Sequence, residues 1–332
     1  IINASSYVLV CIVNPRPLAT ILRCLPHYLY YTPTYLHVMV VYAFCRIDDL
    51  SWGTKGAHAV DPSNKSKEYK EFKEYWEKGY TAHLVGKGIT RFHAIYWPAM
   101  LLSAGLATPQ EIFIHGYVTV DGEKISKSIG NVIDPFKVVE KYGSTGSPQA
   151  GVDVLRYFLL REIPSGEDGD FSYKKLEERY NGDLANGLGN LVQRVVTLID
   201  NNLTGELIYK PNLLEKDVKT KIGELFKEYT KNIDNFLLHE ALGRVWELVG
   251  YANKYIDEKK PWAVVKNDEA GFLKIMNNAV FILYNIAWML VPFLPETADM
   301  IFEALGANKD VETLENYKFR IVKGEGLFPR LK

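Results

Sequence analysis

The chain has 332 residues, 47% of them hydrophobic and 24% charged. That is the composition of a packed globular protein of about two domains, at roughly 100–200 residues each. Lys and Arg number 39 against 40 Asp and Glu, so no basic field announces a nucleic-acid or membrane partner, and three cysteines, Cys11, Cys24 and Cys45, exclude a disulfide-stapled scaffold and an all-cysteine zinc site.

A break in texture comes early. Residues 1–60 hold all three cysteines and only six charged residues, Arg16, Arg23, Arg46, Asp48, Asp49 and Lys55. From Cys24 to Cys45 the chain is uncharged, and as a helix this run would span about 33 Å, close to the hydrocarbon core of a bilayer. Pro26, Pro33, His27 and His37 sit poorly in lipid, so the run reads equally as a membrane segment or a buried apolar stretch. It lacks the basic start and small-residue cleavage pattern of a signal peptide. Residues 61–78 are charged and read as a solvated linker or surface helix.

Short apolar runs then predict strands at His83–Gly86 and Ile112–Val120, around a helix over Arg91–Leu106. Residues 121–170, rich in Gly, Ser, Lys and Pro, read as loops with one short helix. Within them Ser144–Gly151 is expected to be a solvent-exposed loop. From Phe171 to about Leu305 the pattern is helical. Leu184, Leu188, Leu191, Val195 and Leu198 form one apolar stripe. Val245, Leu248, Val249, Ala252, Tyr255 and Ile256 form another, stopped by Pro261. An antiparallel helix bundle follows.

The chemistry concentrates in Asp121–Asn131 (DGEKISKSIGN). Lys124 and Lys127, with Ser126 and Ser128, offer two cations and two hydroxyls between Gly122 and Gly130. Such a loop suits a polyphosphate whose charge grows in a transition state. The Walker spacing is absent, and by itself the pentapeptide reads more readily as a surface turn. Its neighbours decide otherwise. The blocks His83–Leu106, Phe113–Asn131, Asp153–Arg161 and Asp168–Phe171, with the ending Gly326-Leu-Phe-Pro-Arg, together resemble bacterial methionyl-tRNA synthetase, a class I aminoacyl-tRNA ligase, over about 61–332.

The resemblance implies an α/β plus all-α protein. Residues 79–170 are expected to form a partial Rossmann-like nucleotide-binding half-domain, and 171–332 an α-helical anticodon-binding bundle. It implies methionine, ATP with Mg²⁺ and tRNA-Met as partners, no zinc site in this chain, and a cytoplasmic setting for 61–332. Lys124, Ser126, Lys127 and Ser128 are expected to stabilise the leaving pyrophosphate, with Ile125 in place of the family's usual Met. Gly86 and Gly88 are expected beside the ATP, Gly88 standing where the family has Asp. His93 and Ile89 are expected to line a methionine pocket. Asn190 and Arg194, four apart and so on one helix face, match anticodon readers. Trp262 matches an aromatic on which an anticodon base stacks.

The family's His-Ile-Gly-His signature is not found before His83, so the chain alone is expected not to aminoacylate. Residues 1–57 resemble instead a membrane region of fungal chitin synthase, in Leu25-Pro-His-Tyr-Leu, Pro33-Thr-Tyr-Leu and Val41–Gly56. That implies two unrelated pieces joined near 57–61. Two rivals follow. A non-catalytic tRNA-binding module would keep Asn190, Arg194 and Trp262 and ignore Lys124 and Lys127. A membrane-anchored glycosyltransferase fragment would enter detergent through residues 24–45 and bind no RNA.

Overall fold

The computed structural model describes residues 72–126, 128–143, 148–309, 314–324 and 326–331. The apolar leader, its candidate membrane run, the junction at 57–61, most of the charged linker and Lys127 lie outside the described residues. Two compact units part between Ile114 and His115.

In the first unit, β1 (Ala82–Gly86) pairs with β2 (Glu111–His115). Between them come a tight turn at Lys87–Ile89 and a wide helical turn at Phe92–Tyr96, which continues as α1 (Trp97–Ser103). The predicted strand–helix–strand order is therefore present. The end of the charged segment takes the surface-helix alternative, with a wide helical turn at Lys73–Glu77. Trp76 donates its indole N–H to the Ala107 carbonyl at 2.9 Å and packs against His83 and Trp97.

The strand expected over Ile112–Val120 is broken after His115, and β3 (Val118–Val120) belongs to the second unit. Gly116 is the reason. A Cβ there would lie 2.0 Å from the Glu167 carbonyl oxygen, so only glycine admits the approaching 166–168 loop. Beside it, Asp168 Oδ1 accepts the Tyr117 N–H at 2.7 Å, and Gly169 N–H donates to the Tyr117 carbonyl at 2.9 Å.

β3 runs into β4 (Glu123–Lys124) through Asp121 and Gly122, both at positive φ (50° and 80°). Two such residues make the hairpin turn whose twist matches the strands, and Asp-Gly is a favoured pair for it. On its other edge β3 pairs in parallel with β5 (Gly169–Phe171). Asp170 of β5 holds the turn, since its Oδ1 accepts the Gly122 N–H at 2.7 Å and the Thr119 hydroxyl at 2.8 Å.

The expectation of loops and one short helix over 121–170 needs correction, because two helices stand there. They are α2 (Pro135–Tyr142), capped by the Asp134 carboxylate, and α3 (Pro148–Glu162). Residues 148–151 of the run expected to be an exposed loop form the first turn of α3. Proline is pre-shaped for that turn, and Ala150 is buried. A Cβ at Gly151 would stand 2.1 Å from the Val139 carbonyl oxygen, so the glycine lets α2 and α3 approach. The Gly, Ser and Pro content masked a helical spacing of Ala150, Val154, Tyr157 and Phe158, all buried.

The helical remainder is as the two stripes imply. α4 (Tyr173–Arg179), capped by Ser172, passes through a wide-turned segment, Tyr180–Gly189, into α5 (Asn190–Asn202). There Leu184, Leu188, Leu191 and Val195 are buried. α6 (Lys216–Asp234) and α7 (Leu238–Lys259) follow, then the short α8 (Pro261–Val264), α9 (Glu269–Leu290) and α10 (Pro295–Leu305). A small antiparallel pair, β6 (Glu206–Ile208) with β7 (Lys318–Arg320), closes one side. α9 is apolar and long enough to cross a membrane, yet 72% of its most apolar window is buried inside the bundle, as expected of a core helix.

Two buried polar residues of α9 organise the chain that wraps it. Asn277 accepts the Lys210 N–H at 2.8 Å and donates to the Lys210 carbonyl, and Asn278 accepts the Glu215 N–H and donates to the Leu213 carbonyl. Both side chains are fully buried. Replacing Asn277 with Leu keeps the shape and strands the two Lys210 backbone groups, at a cost of about 1–3 kcal/mol for each group left unpaired. Urea unfolding should show that loss in the midpoint with the slope unchanged.

A second expectation concerns pH. The Asp170 carboxyl is held below the ordinary carboxylate range, first by the Gly122 N–H and then by the Thr119 hydroxyl. The stabilisation is complete above the unperturbed value of about 3.9 and is lost as pH falls through the lowered one. Amide exchange at Gly122 should therefore accelerate in the acid limb. Asp170→Asn should exchange faster at neutral pH and lose that limb.

Candidate functional site

The phosphate-loop candidates sit where the hairpin leaves the sheet. Lys124 ends β4 with its side chain exposed, Ser126 is half-buried and Ser128 is exposed. The two serine hydroxyls lie 2.7 Å apart. The Ser126 N–H donates to Asn131 Oδ1 at 2.8 Å, and Asn131 Nδ2 donates to the Lys124 carbonyl at 3.1 Å. Gly130 N–H closes onto the Ser126 carbonyl at 3.1 Å, with Gly130 at φ 79°. Backbone polar groups of the loop are thus spent inward, and Lys124 is left to face solvent.

His93 stands in the first unit on the wide turn before α1. Its Nδ1 is 3.1 Å from the Ile89 carbonyl, and since a carbonyl only accepts, the ring donates through Nδ1. The ring meets His83 edge-on at 6.3 Å. Ala82, His83, Leu84, Val85, Phe92, His93 and Trp97 line a hollow of about 490 Å³. Ile89 does not line it; its side chain is half exposed, and its carbonyl positions His93 instead. Gly86 ends β1 and Gly88 lies exposed in the following turn.

The bundle brings together two of the three proposed RNA readers. Arg194 of α5 donates from Nη2 to Asp257 Oδ1 of α7 at 2.5 Å, and its guanidinium carbon lies 5.7 Å from the centre of the Trp262 ring. Asn190 is exposed one turn earlier on α5, where the wide segment returns to ordinary winding. Trp262 owes its place to the chain reversal before it. α7 ends with Lys260 at φ 49°, and Pro261 opens α8 and is itself buried. The indole is therefore held on a rigid corner while 44% of it stays exposed. An exposed indole beside a fixed guanidinium offers a stacking face and hydrogen-bond donors, which is what reading an unpaired base requires.

Reasoning from sequence missed Asn131, Asp170, Asp257, His83 and Trp97. Asn131 was signalled by its place just after the loop, whereas Asp257 meets Arg194 across 63 positions of sequence. Nothing local pointed to Asp170, whose partners lie 48 and 51 positions away.

Residues 57–196 match the family model described as tRNA synthetases class I (M), and residues 209–322 match the anticodon binding domain of methionyl tRNA ligase. The methionine–tRNA ligase of Caldanaerobacter subterraneus subsp. tengcongensis is 42% identical over 273 residues, covering 79% of this chain and 41% of that protein. The Mycobacterium leprae ligase is 35% identical over 306 residues, covering 89% of this chain and 53% of the relative. That match reaches into the residues before 61, so a join between unrelated pieces at 57–61 gains no support. The solved Mycobacterium tuberculosis methionyl-tRNA synthetase in complex with methionyl-adenylate superposes with a TM-score of 0.71 at 33% identity, covering 82% of this chain and 53% of that one. The chain spans about half the length of the curated relatives it matches. Over residues 57–196 and 209–322 it belongs to the methionyl-tRNA synthetase family, as a Rossmann-like class I catalytic segment followed by the helical anticodon-binding domain.

Proposed function

We propose that this chain serves methionine–tRNA ligase chemistry, the ATP-dependent attachment of methionine to tRNA-Met through methionyl-adenylate, in the cytoplasm. Its described residues contribute chiefly the reading of the tRNA and part of the hold on the ATP phosphates. The observation that carries this reading is the corner where Arg194, Asp257 and Trp262 meet.

The energetics of that corner favour exchange over permanence. The Arg194–Asp257 pair is half open to solvent on its acidic side, and exposed ion pairs contribute only about 0.2–1 kcal/mol. A base edge can therefore replace or extend the contact at small cost, whereas Trp262 stays fixed by Pro261 and offers about 1–3 kcal/mol of stacking per base. Asn190, on the same face of α5, adds an amide that can both donate and accept. The division of labour follows the boundary expected near 170/171: the loop before it handles phosphate and the helices after it handle RNA.

On the phosphate side, Lys124, Lys127, Ser126 and Ser128 of the second unit take the pyrophosphate of ATP, bound as its magnesium complex. Within the first unit, Gly86 and Gly88 leave their backbone open to approach by a nucleotide. The aromatic hollow at His93, with Ile89 behind the ring, takes the apolar side chain of methionine.

The test is affinity for a methionine tRNA, measured beside the same tRNA with its CAU anticodon changed. Trp262→Ala and the anticodon change should each weaken binding by about 1–3 kcal/mol, and the two losses should not add, since they remove one contact. Equal binding to both tRNAs, untouched by Trp262→Ala, would refute the reading.

A further inference from the structure

The candidate phosphate loop between β4 and α2 has a single apolar anchor among its described residues, Ile133, which packs against the core, while Ile125, Ile129 and Val132 are exposed. Its ends are tied elsewhere. Asp170 fixes the hairpin turn before it, and Asp134 caps α2 after it. Between those ties the Asn131 side chain acts on the loop backbone from inside. The Asn131 carboxamide accepts from the Ser126 N–H at 2.8 Å and donates to the Lys124 carbonyl at 3.1 Å. An amide side chain bonded this way substitutes for a missing peptide unit, closing a ring across Lys124, Ile125 and Ser126. Gly130, at φ 79°, turns the chain so that Asn131 can reach back, a conformation that favours glycine.

We infer that Asn131 is a positioning residue for the phosphate loop, holding Lys124 and the paired hydroxyls of Ser126 and Ser128 in one arrangement before a polyphosphate arrives. The inference rests on the reading of this loop as a polyphosphate binder. The physical argument is preorganisation. A loop already ordered does not lose the entropy of ordering when the anion binds, and donors fixed in advance act more strongly on developing charge. Asn is suited to the task because it both donates and accepts. Asp keeps the acceptor, loses the donor and sets a negative charge where an anion must come.

The experiment uses the full chain and inorganic pyrophosphate with magnesium as probe, with amide exchange resolved at Ser126. In the wild type the Ser126 amide should exchange slowly. Asn131→Ala should speed it by about tenfold, the order of one net hydrogen bond, and weaken pyrophosphate binding by a similar factor. Asn131→Asp should keep the Ser126 amide protected yet bind pyrophosphate more weakly still. Exchange at buried α9 amides should stay unchanged in both variants, showing that the fold survives. If Asn131→Ala leaves Ser126 exchange unchanged, there is no clamp and the inference fails. If exchange rises while pyrophosphate affinity holds, Asn131 shapes the loop without positioning it for binding, and the inference again fails. If the wild type itself binds no pyrophosphate, the polyphosphate reading falls and the positioning role with it, while the exchange result still decides the clamp.

Discussion

Tyr157 and Phe158 of α3 hold the second unit together, because the sheet that carries the candidate phosphate loop shares the core of the bundle. Phe158 packs edge-on to Phe171 of β5 at 5.2 Å, while Tyr157 lies 4.3 Å from the Trp246 ring of α7 and donates its hydroxyl to Asp183 at 2.7 Å. One helix thus reaches from the three-stranded sheet into the bundle. Val120 and Phe171 belong to the same buried cluster as Leu188, Val245 and Leu283. Three short strands are marginal by themselves in water, so the loop depends on the bundle for its footing.

The same helix ties the bundle's far corner. Asp153, fully buried, accepts both the N–H and the hydroxyl of Thr297 at 2.7 Å, and so caps α10 across 144 positions of sequence. One helical turn further, Arg156 holds the carbonyls of Phe293 and Pro292, at the corner that follows α9. Burial pushes the Asp153 carboxyl up, against the pull of Thr297, and its Oδ1 has no hydrogen-bond partner among the described residues. A carboxylate held so tightly is costly to bury. Its value lies in fixing one arrangement of α3, α9 and α10, and through α3 the sheet beneath the loop.

How far the sequence disclosed this depends on the range of the interactions. The stripes of α5 and α7 were legible because a helix writes its buried face at fixed spacing, and Pro261 marked a true boundary. The candidate residues of the loop could be named because their types are contiguous. Helix α3 was not, since Gly151 and Pro148 look like loop formers until α2 is seen to need a glycine in contact. The break at Gly116 and the Asp170 tie were invisible for the same reason, as each is imposed by a segment about fifty positions away. The corner at Trp262 was half legible. Arg194 and Trp262 could be named from their motifs, whereas Asp257, which sets the guanidinium, emerged only from the packing of α5 against α7.

The central claim is that an unpaired RNA base is read at this corner. The most direct measurement is an amide-exchange footprint of the full chain with a methionine tRNA, compared with the same tRNA carrying a changed anticodon. The account predicts slowed exchange at residues 190–194 and 257–264 with the first tRNA and its loss with the second. Identical footprints, or protection confined to other surfaces, would contradict it.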